Sequence, residues 1–233
     1  MRVRAHARHT LGGFADGFRY VWQRPDLKTL LVMMFLIGTF GLNFPIFIST
    51  MSVREFHAGA SQFGLLTSLM AAGSVVGALL AARRESPRIG FLLAGAACFG
   101  IGLALAALMP NYALFGGALV IVGISAQTFS ATTNGTVQMS TAPAMRGRVL
   151  AILLAIAMGG TPIGAPIVGW VADRFGPRWA LAVGAAAGFA AAAIGLGYLA
   201  KYRRLRVNVS DGRLSYRLDE VDDLDSARPD ARS

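Results

Sequence analysis

Charge is what this sequence has least of. Only 15% of its 233 residues are Asp, Glu, Lys or Arg, against roughly a quarter in soluble domains. Carboxylates are missing altogether between Glu85 and Asp173. A single cysteine, Cys98, excludes a disulfide framework. The three histidines, His6, His9 and His57, all lie outside the apolar runs. With them and one cysteine, no metal site is expected, and no cofactor either. An intramembrane serine protease would need a membrane histidine as its base, which is also missing. No signal peptide is evident: the basic start, Met1 to Arg8, leads into an interrupted segment rather than an apolar run.

Long apolar runs take the place of charge. Cutting the chain at charged residues and histidines leaves stretches at 29–53, 58–82, 89–145, 149–172 and 179–200. A spanning helix needs about 20 apolar residues. Four stretches hold one span each, and the fifth, broken at Pro110-Asn111, holds two. The spans expected are 28–51, 62–82, 89–109, 112–139, 149–171 and 179–200, making 28–200 an all-α membrane domain. Barrel strands would alternate apolar and polar residues. These runs are apolar on every side, and a helix satisfies its own backbone in hydrocarbon. Tyr112, Trp170, Trp179, Tyr198 and Tyr202 fall at span ends, where interfacial aromatics belong.

The net charge of +10 is explained by topology rather than by nucleic acid. With a cytoplasmic N-terminus, 15 lysines and arginines lie inside and 3 outside, which the positive-inside rule favours. Both termini are then cytoplasmic, in a multi-pass protein of the plasma (inner) membrane. Residues 1–27 read as a cytoplasmic linker, with Leu11, Phe14, Phe18, Val21 and Trp22 on one face of a short surface helix. Pro25-Asp26 ends that helix, and Asp26 is placed to cap the next. The tail, 201–233, is expected to be mostly disordered. Within it, Val207-Asn-Val209, Asp211-Gly212 and Leu214-Ser-Tyr216 alternate as a tight hairpin does.

Polar residues are unevenly shared among the spans. The third and sixth hold almost none and should face lipid broadly. The fourth carries two stripes at helical spacing. Ser125, Thr128, Thr132 and Thr136 form a hydroxyl stripe, able to bond back to carbonyls one turn earlier. Gln127, Ser130, Asn134 and Gln138 form an amide-rich stripe nearly opposite. Amides satisfy themselves locally less easily, so this stripe lines a substrate cavity or glues helices together. Asn43 and Pro45 mark a break in the first span, a pointer to a transporter binding site or a structural kink, and Pro162 kinks the fifth. Gly73-Ser-Val-Val-Gly77, Gly160-Thr-Pro-Ile-Gly164 and Gly184-Ala-Ala-Ala-Gly188 suit close helix packing.

Several segments resemble the major facilitator superfamily, in its drug and siderophore exporter-like branch. Gly17-Phe-Arg-Tyr-Val21 with Pro25-Asp-Leu27 resembles the segment between its sixth and seventh helices. Arg146-Gly-Arg-Val149 resembles the cytoplasmic loop between helices ten and eleven. Gly160 to Gly164, leading to Gly169-Trp-Val-Ala-Asp-Arg-Phe-Gly-Pro-Arg178, resembles helix eleven and the turn after it. The resemblance covers about 11–205. It implies the C-terminal six-helix half of a major facilitator fold (two three-helix inverted repeats), with helices seven and ten lining the cavity. It also implies alternating access and efflux of small molecules. Two features depart from the family. The Asp173–Arg178 turn is similar to the signature loop but falls on the outside, and the family's first six helices have no counterpart here. A transporter half therefore needs an N-terminal six-helix half or a homodimer to surround its small-molecule substrate, within membrane lipid. The alternative is a non-transporting membrane interaction partner or remnant.

Overall fold

In the computed structural model, residues 16–83, 89–202, 205–210 and 213–218 are described. Leu11, Phe14, the loop 84–88 and the tail beyond 218 lie outside them. A short helix, α1 (residues 16–23), precedes six helices long and apolar enough to span a membrane. These are Pro25–Glu55, α4 (Ala60–Ala82), α5 (Ile89–Leu108), α6 (Tyr112–Ser140), α7 (Arg146–Phe175) and α8 (Pro177–Tyr202). Residues up to 195 form one compact unit, and those from 196 onward a second. In the second, β1 (Leu205–Ser210) and β2 (Arg213–Leu218) pair antiparallel, with Val207 opposite Tyr216 and Val209 opposite Leu214. That is the hairpin the alternation predicts.

The helix ends follow from their residues. Arg24 is extended before Pro25, as a residue preceding proline prefers. Pro25 takes the first helical position, where its missing N–H costs nothing. Asp26 therefore sits inside the first turn and does not cap the helix. Its carboxylate instead accepts from the Arg24 guanidinium at 2.9 and 2.6 Å. The break at Pro110-Asn111 is a true cap, with Asn111 Oδ1 accepting from Leu114 N at 2.9 Å. Gly176, at φ 104°, turns the chain between α7 and α8, a conformation side chains other than hydrogen rarely allow.

The first span is not one continuous helix. α2 (Pro25–Leu36) widens into a π turn at Ile37–Gly41, stops, and restarts as α3 (Phe44–Thr50). Leu42 N reaches back to Ile37 O at 2.9 Å. Pro45 cannot donate, and its ring would meet the carbonyl of Gly41 if the helix ran on. A second π turn, Met51–Glu55, ends the span. α7, by contrast, runs unbroken over Arg146–Phe175 with Pro162 and Pro166 inside it.

The helices pack by an exchange between two three-helix repeats. On α4, a methyl added at Gly77 would stand 2.6 Å from the Ile124 carbonyl of α6, and one at Gly73 would meet that of Val120. On α7, a methyl at Gly160 would stand 2.6 Å from Thr39 Oγ1, and one at Gly164 would meet the Thr39 carbonyl. The second helix of each repeat thus lies against the first helix of the other. The third helices follow the same rule. Gly95 and Gly102 of α5 lie against Phe129 and Val122 of α6, and Gly184 of α8 lies against Phe47 of the first span. Gly100 and Gly188 then bring α5 and α8 together, backbone to backbone. Small residues permit this approach, and dispersion rather than hydrophobicity rewards it in lipid.

This packing takes up one side of spans three and six. Half of the residues in their most apolar stretches are buried, whereas the figures for spans two and five are 17% and 28%. Hydropathy does not distinguish a face rich in Gly and Ala that meets a helix from one that meets lipid. The core between them holds Phe47, Phe99, Phe115 and Phe129, all fully buried.

Candidate functional site

The two stripes of α6 have different surroundings. Ser125, Thr128, Thr132 and Thr133 are buried. Their hydroxyls turn back along the helix: Ser125 to Ile121 O at 2.6 Å, Thr132 to Thr128 O at 2.7 Å, Thr133 to Phe129 O at 2.8 Å. Thr136 does the same to Thr132 O at 2.7 Å. Each of these bonds is local, so these groups suit helix packing. Across the helix, Gln127 and Ser130 are half-buried, and Asn134 and Gln138 are exposed. One amide does satisfy itself locally, contrary to expectation, since Asn134 Nδ2 donates to Ser130 O at 2.9 Å. A primary amide offers two donors and two acceptor lone pairs, so most of the stripe's capacity stays available.

Gln127 stands at a cleft of about 350 Å³ between α4 and α6. Ala78, Ala81 and Ala82 form one wall, and Ala131, Thr132 and Gly135 join Gln127 on the other. Small side chains open the space, and the amide is its most capable hydrogen-bonding group. The arrangement suits an uncharged or amphipathic guest, held by apolar contact and one amide.

Asn43 has a different setting. It is 1% exposed, in the break between the π turn and α3. Its Nδ2 donates to Thr39 O at 2.6 Å, and its Oδ1 has no partner among the described residues. Thr39, also buried, faces Gly160 and Gly164, and Thr161 Oγ1 donates to Gly38 O at 3.3 Å. Asn43 belongs to the contact between the first span and α7, whereas Asn134 and Gln138 lie on the outer surface of α6. The structure does not bring these two sets of residues together.

Polar ties at both ends of the bundle were not visible in the sequence pattern. In the last turn of the first span, Arg54 bonds Ala172 O at 3.1 Å and Asp173 at 2.6 Å. Arg178 bonds Glu55 at 3.3 Å, Ala107 O at 2.9 Å and Met109 O at 3.2 Å. The Asp173–Arg178 turn therefore joins the ends of the first, third, fifth and sixth spans. At the opposite end, Arg24 Nη2 donates to Ser140 O at 3.2 Å and Ala142 N donates to Tyr20 Oη at 3.3 Å. Arg148 pairs with Asp16 at 3.7 Å, while Arg146 is exposed at the start of α7. Partners more than a hundred residues apart leave one legible trace, namely charges of opposite sign beside the apolar runs.

The model of the Major Facilitator Superfamily matches residues 29–220. Multidrug efflux pump Tap of Mycolicibacterium fortuitum is 27% identical over 170 residues, which cover 71% of this chain and 41% of that protein. Among solved structures, the peptide transporter POT in complex with alafosfalin superposes with a TM-score of 0.61 at 13% identity. That match covers 76% of this chain and 38% of the transporter. The chain thus spans about two fifths of the length of the relatives it matches.

Proposed function

The chain belongs to the major facilitator superfamily, and on that premise we propose that it is the C-terminal half of a secondary transporter exporting small amphipathic molecules. In this reading the half sits in the plasma (inner) membrane with both ends cytoplasmic, and an N-terminal six-helix half completes it. Alternating access then rocks one half against the other around a site at their interface. Gln127, Ser130, Asn134 and Gln138 are the residues of this half assigned to substrate, whereas Asn43, buried in the break of the first span, is assigned to helix packing. Arg146 and Arg148, expected in a loop, lie in the first turn of α7, at its cytoplasmic end in this reading.

One observation carries the proposal: Asn134 and Gln138 are exposed on a helix of a chain otherwise so apolar. Leaving several amides in hydrocarbon is costly. Spans two and five, the least buried, offer surface for a second half beside that stripe. Export rather than uptake is supported by the likeness to the efflux pump. With no carboxylate between Glu85 and Asp173, a coupling proton is assigned to the partner half.

The test is flux from liposomes holding the folded chain alone or co-assembled with an N-terminal half, using a panel of lipophilic substrates. Gradient-driven, saturable transport should need both halves. Such transport by this chain alone would refute the dependence and make it a self-sufficient carrier. Crosslinking to a second copy, with activity, would replace the N-terminal half by a homodimer.

A further inference from the structure

An aromatic surface beside the start of the first span has no part in the transport reading. α1 is fixed to the bundle along one face. A methyl added at Gly17 would stand 3.0 Å from Arg148 Cβ and 3.2 Å from Ile152 Cδ1, and Val21 is 3% exposed. Tyr20, Arg24 and Asp16 tie the same helix to Ala142, Ser140 and Arg148. Phe18 and Trp22, expected on one face with Val21, are 49% and 63% exposed. Their rings stack 5.5 Å apart, and Lys28 Nζ stands 5.0 Å from the centre of the Trp22 ring.

Water is a poor solvent for two stacked rings, whereas tryptophan beside a cation suits the headgroup layer of a bilayer. The local charge agrees. Asp16 and Asp26 are paired with Arg148 and Arg24. Lys28 makes no ion pair among the described residues, and Arg19 is exposed on the same short helix. The balance of the surface is positive. It lies where the apolar span Pro25–Glu55 begins, so it stands at the depth of lipid phosphates.

We propose that Phe18, Trp22, Lys28 and Arg19 form a seat for an anionic phospholipid headgroup. The rings lie in the glycerol layer, and the two cations hold the phosphate. Neither residue of the stack touches the amide stripe, so the inference stands or falls apart from transport.

Trp22 reports its own surroundings once Trp170→Phe and Trp179→Phe remove the other two tryptophans, both of which are exposed. The full chain in lipid nanodiscs is titrated with brominated phosphatidylglycerol or brominated phosphatidylcholine at equal mole fraction. A basic side chain at an anionic surface enriches such lipids about fivefold. The phosphatidylglycerol should therefore quench Trp22 at a several-fold lower mole fraction. Lys28→Gln with Arg19→Gln should abolish the preference, and Lys28→Arg should keep it, with circular dichroism unchanged throughout. Equal quenching by both lipids would overturn the headgroup site. Absence of quenching by either would show the stack covered by protein, and would overturn it as well.

Discussion

Replacing Gly164 by alanine puts a methyl group onto the carbonyl oxygen of Thr39. The obstacle is backbone, and the helix carrying it is held on its other side by Phe99, which fills the space beside Gly41. Overpacking typically costs about 1–3 kcal/mol, and an obstacle without rotamers places this case at the upper end. Alanine recovers about 0.5–1 kcal/mol over glycine inside a helix, leaving a net loss of about 2 kcal/mol. Gly159, five residues back on the same helix, has nothing within 4 Å of the added methyl, so only the gain remains there. For a chain of this size about 2–4 °C accompanies each kcal/mol. Thermal unfolding in detergent should show Gly164→Ala lowered by about 4–8 °C and Gly159→Ala raised by about 1–4 °C. Thr39→Ala should not rescue Gly164→Ala, because the oxygen in the way is not part of the side chain. Gly195→Ala should cost less, since its neighbours there are the flexible ends of Leu93 and Met33. Equal effects at Gly159 and Gly164 would refute the close contact of α7 with the first span.

Reporter fusions after Arg88, Arg148 and Arg206 should report cytoplasm, and those after His57 and Phe175 the outside. An outside signal at Arg148 sinks the orientation. In a Cys98→Ala background, cysteines at Gln127, Asn134 and Gln138 should react with a water-soluble thiol reagent in the assembled transporter, and one at buried Thr133 should not. Uniform protection would favour helix packing for the stripe. Arg178→Ala should destabilise by about 1–3 kcal/mol, since it strips two carbonyls and a carboxylate of a charged donor. Arg54→Ala, whose ion pair is largely exposed, should cost at most about 1 kcal/mol in the same denaturation assay.

The six spans were legible because charge spacing measures bilayer thickness directly. Pro45 and Pro110-Asn111 marked their interruptions by chemistry that needs no tertiary context. Pro162 and Pro166 interrupt nothing, since α7 stays helical past both. The buried faces of α5 and α8 were illegible, because glycine and alanine score alike against lipid or against another helix. Asn43 and the α6 amides looked alike in sequence, as polar residues in apolar runs, yet one lies in the interior and the others on the surface. What separates them is the rotation of each helix, and that is set by its neighbours. The ties of Arg54 and Arg178 depend on contacts across 119 and 123 positions, beyond the reach of any local pattern.

The exchange of helices between the repeats bears on how the protein is made. When the first three spans have left the ribosome, the surfaces that Gly73, Gly77, Gly95 and Gly102 are shaped to meet belong to a helix not yet synthesised. Before it arrives, the first span has α5 beside it, through Phe99 against Gly41 and Phe44, but those glycine faces have nothing to meet. The fourth supplies the surface for the second and third at once, and Thr39 stays uncovered until the fifth arrives. Assembly is therefore a late event, closed by the sixth helix, and a nascent chain stalled after the third span is the species most exposed to membrane quality control.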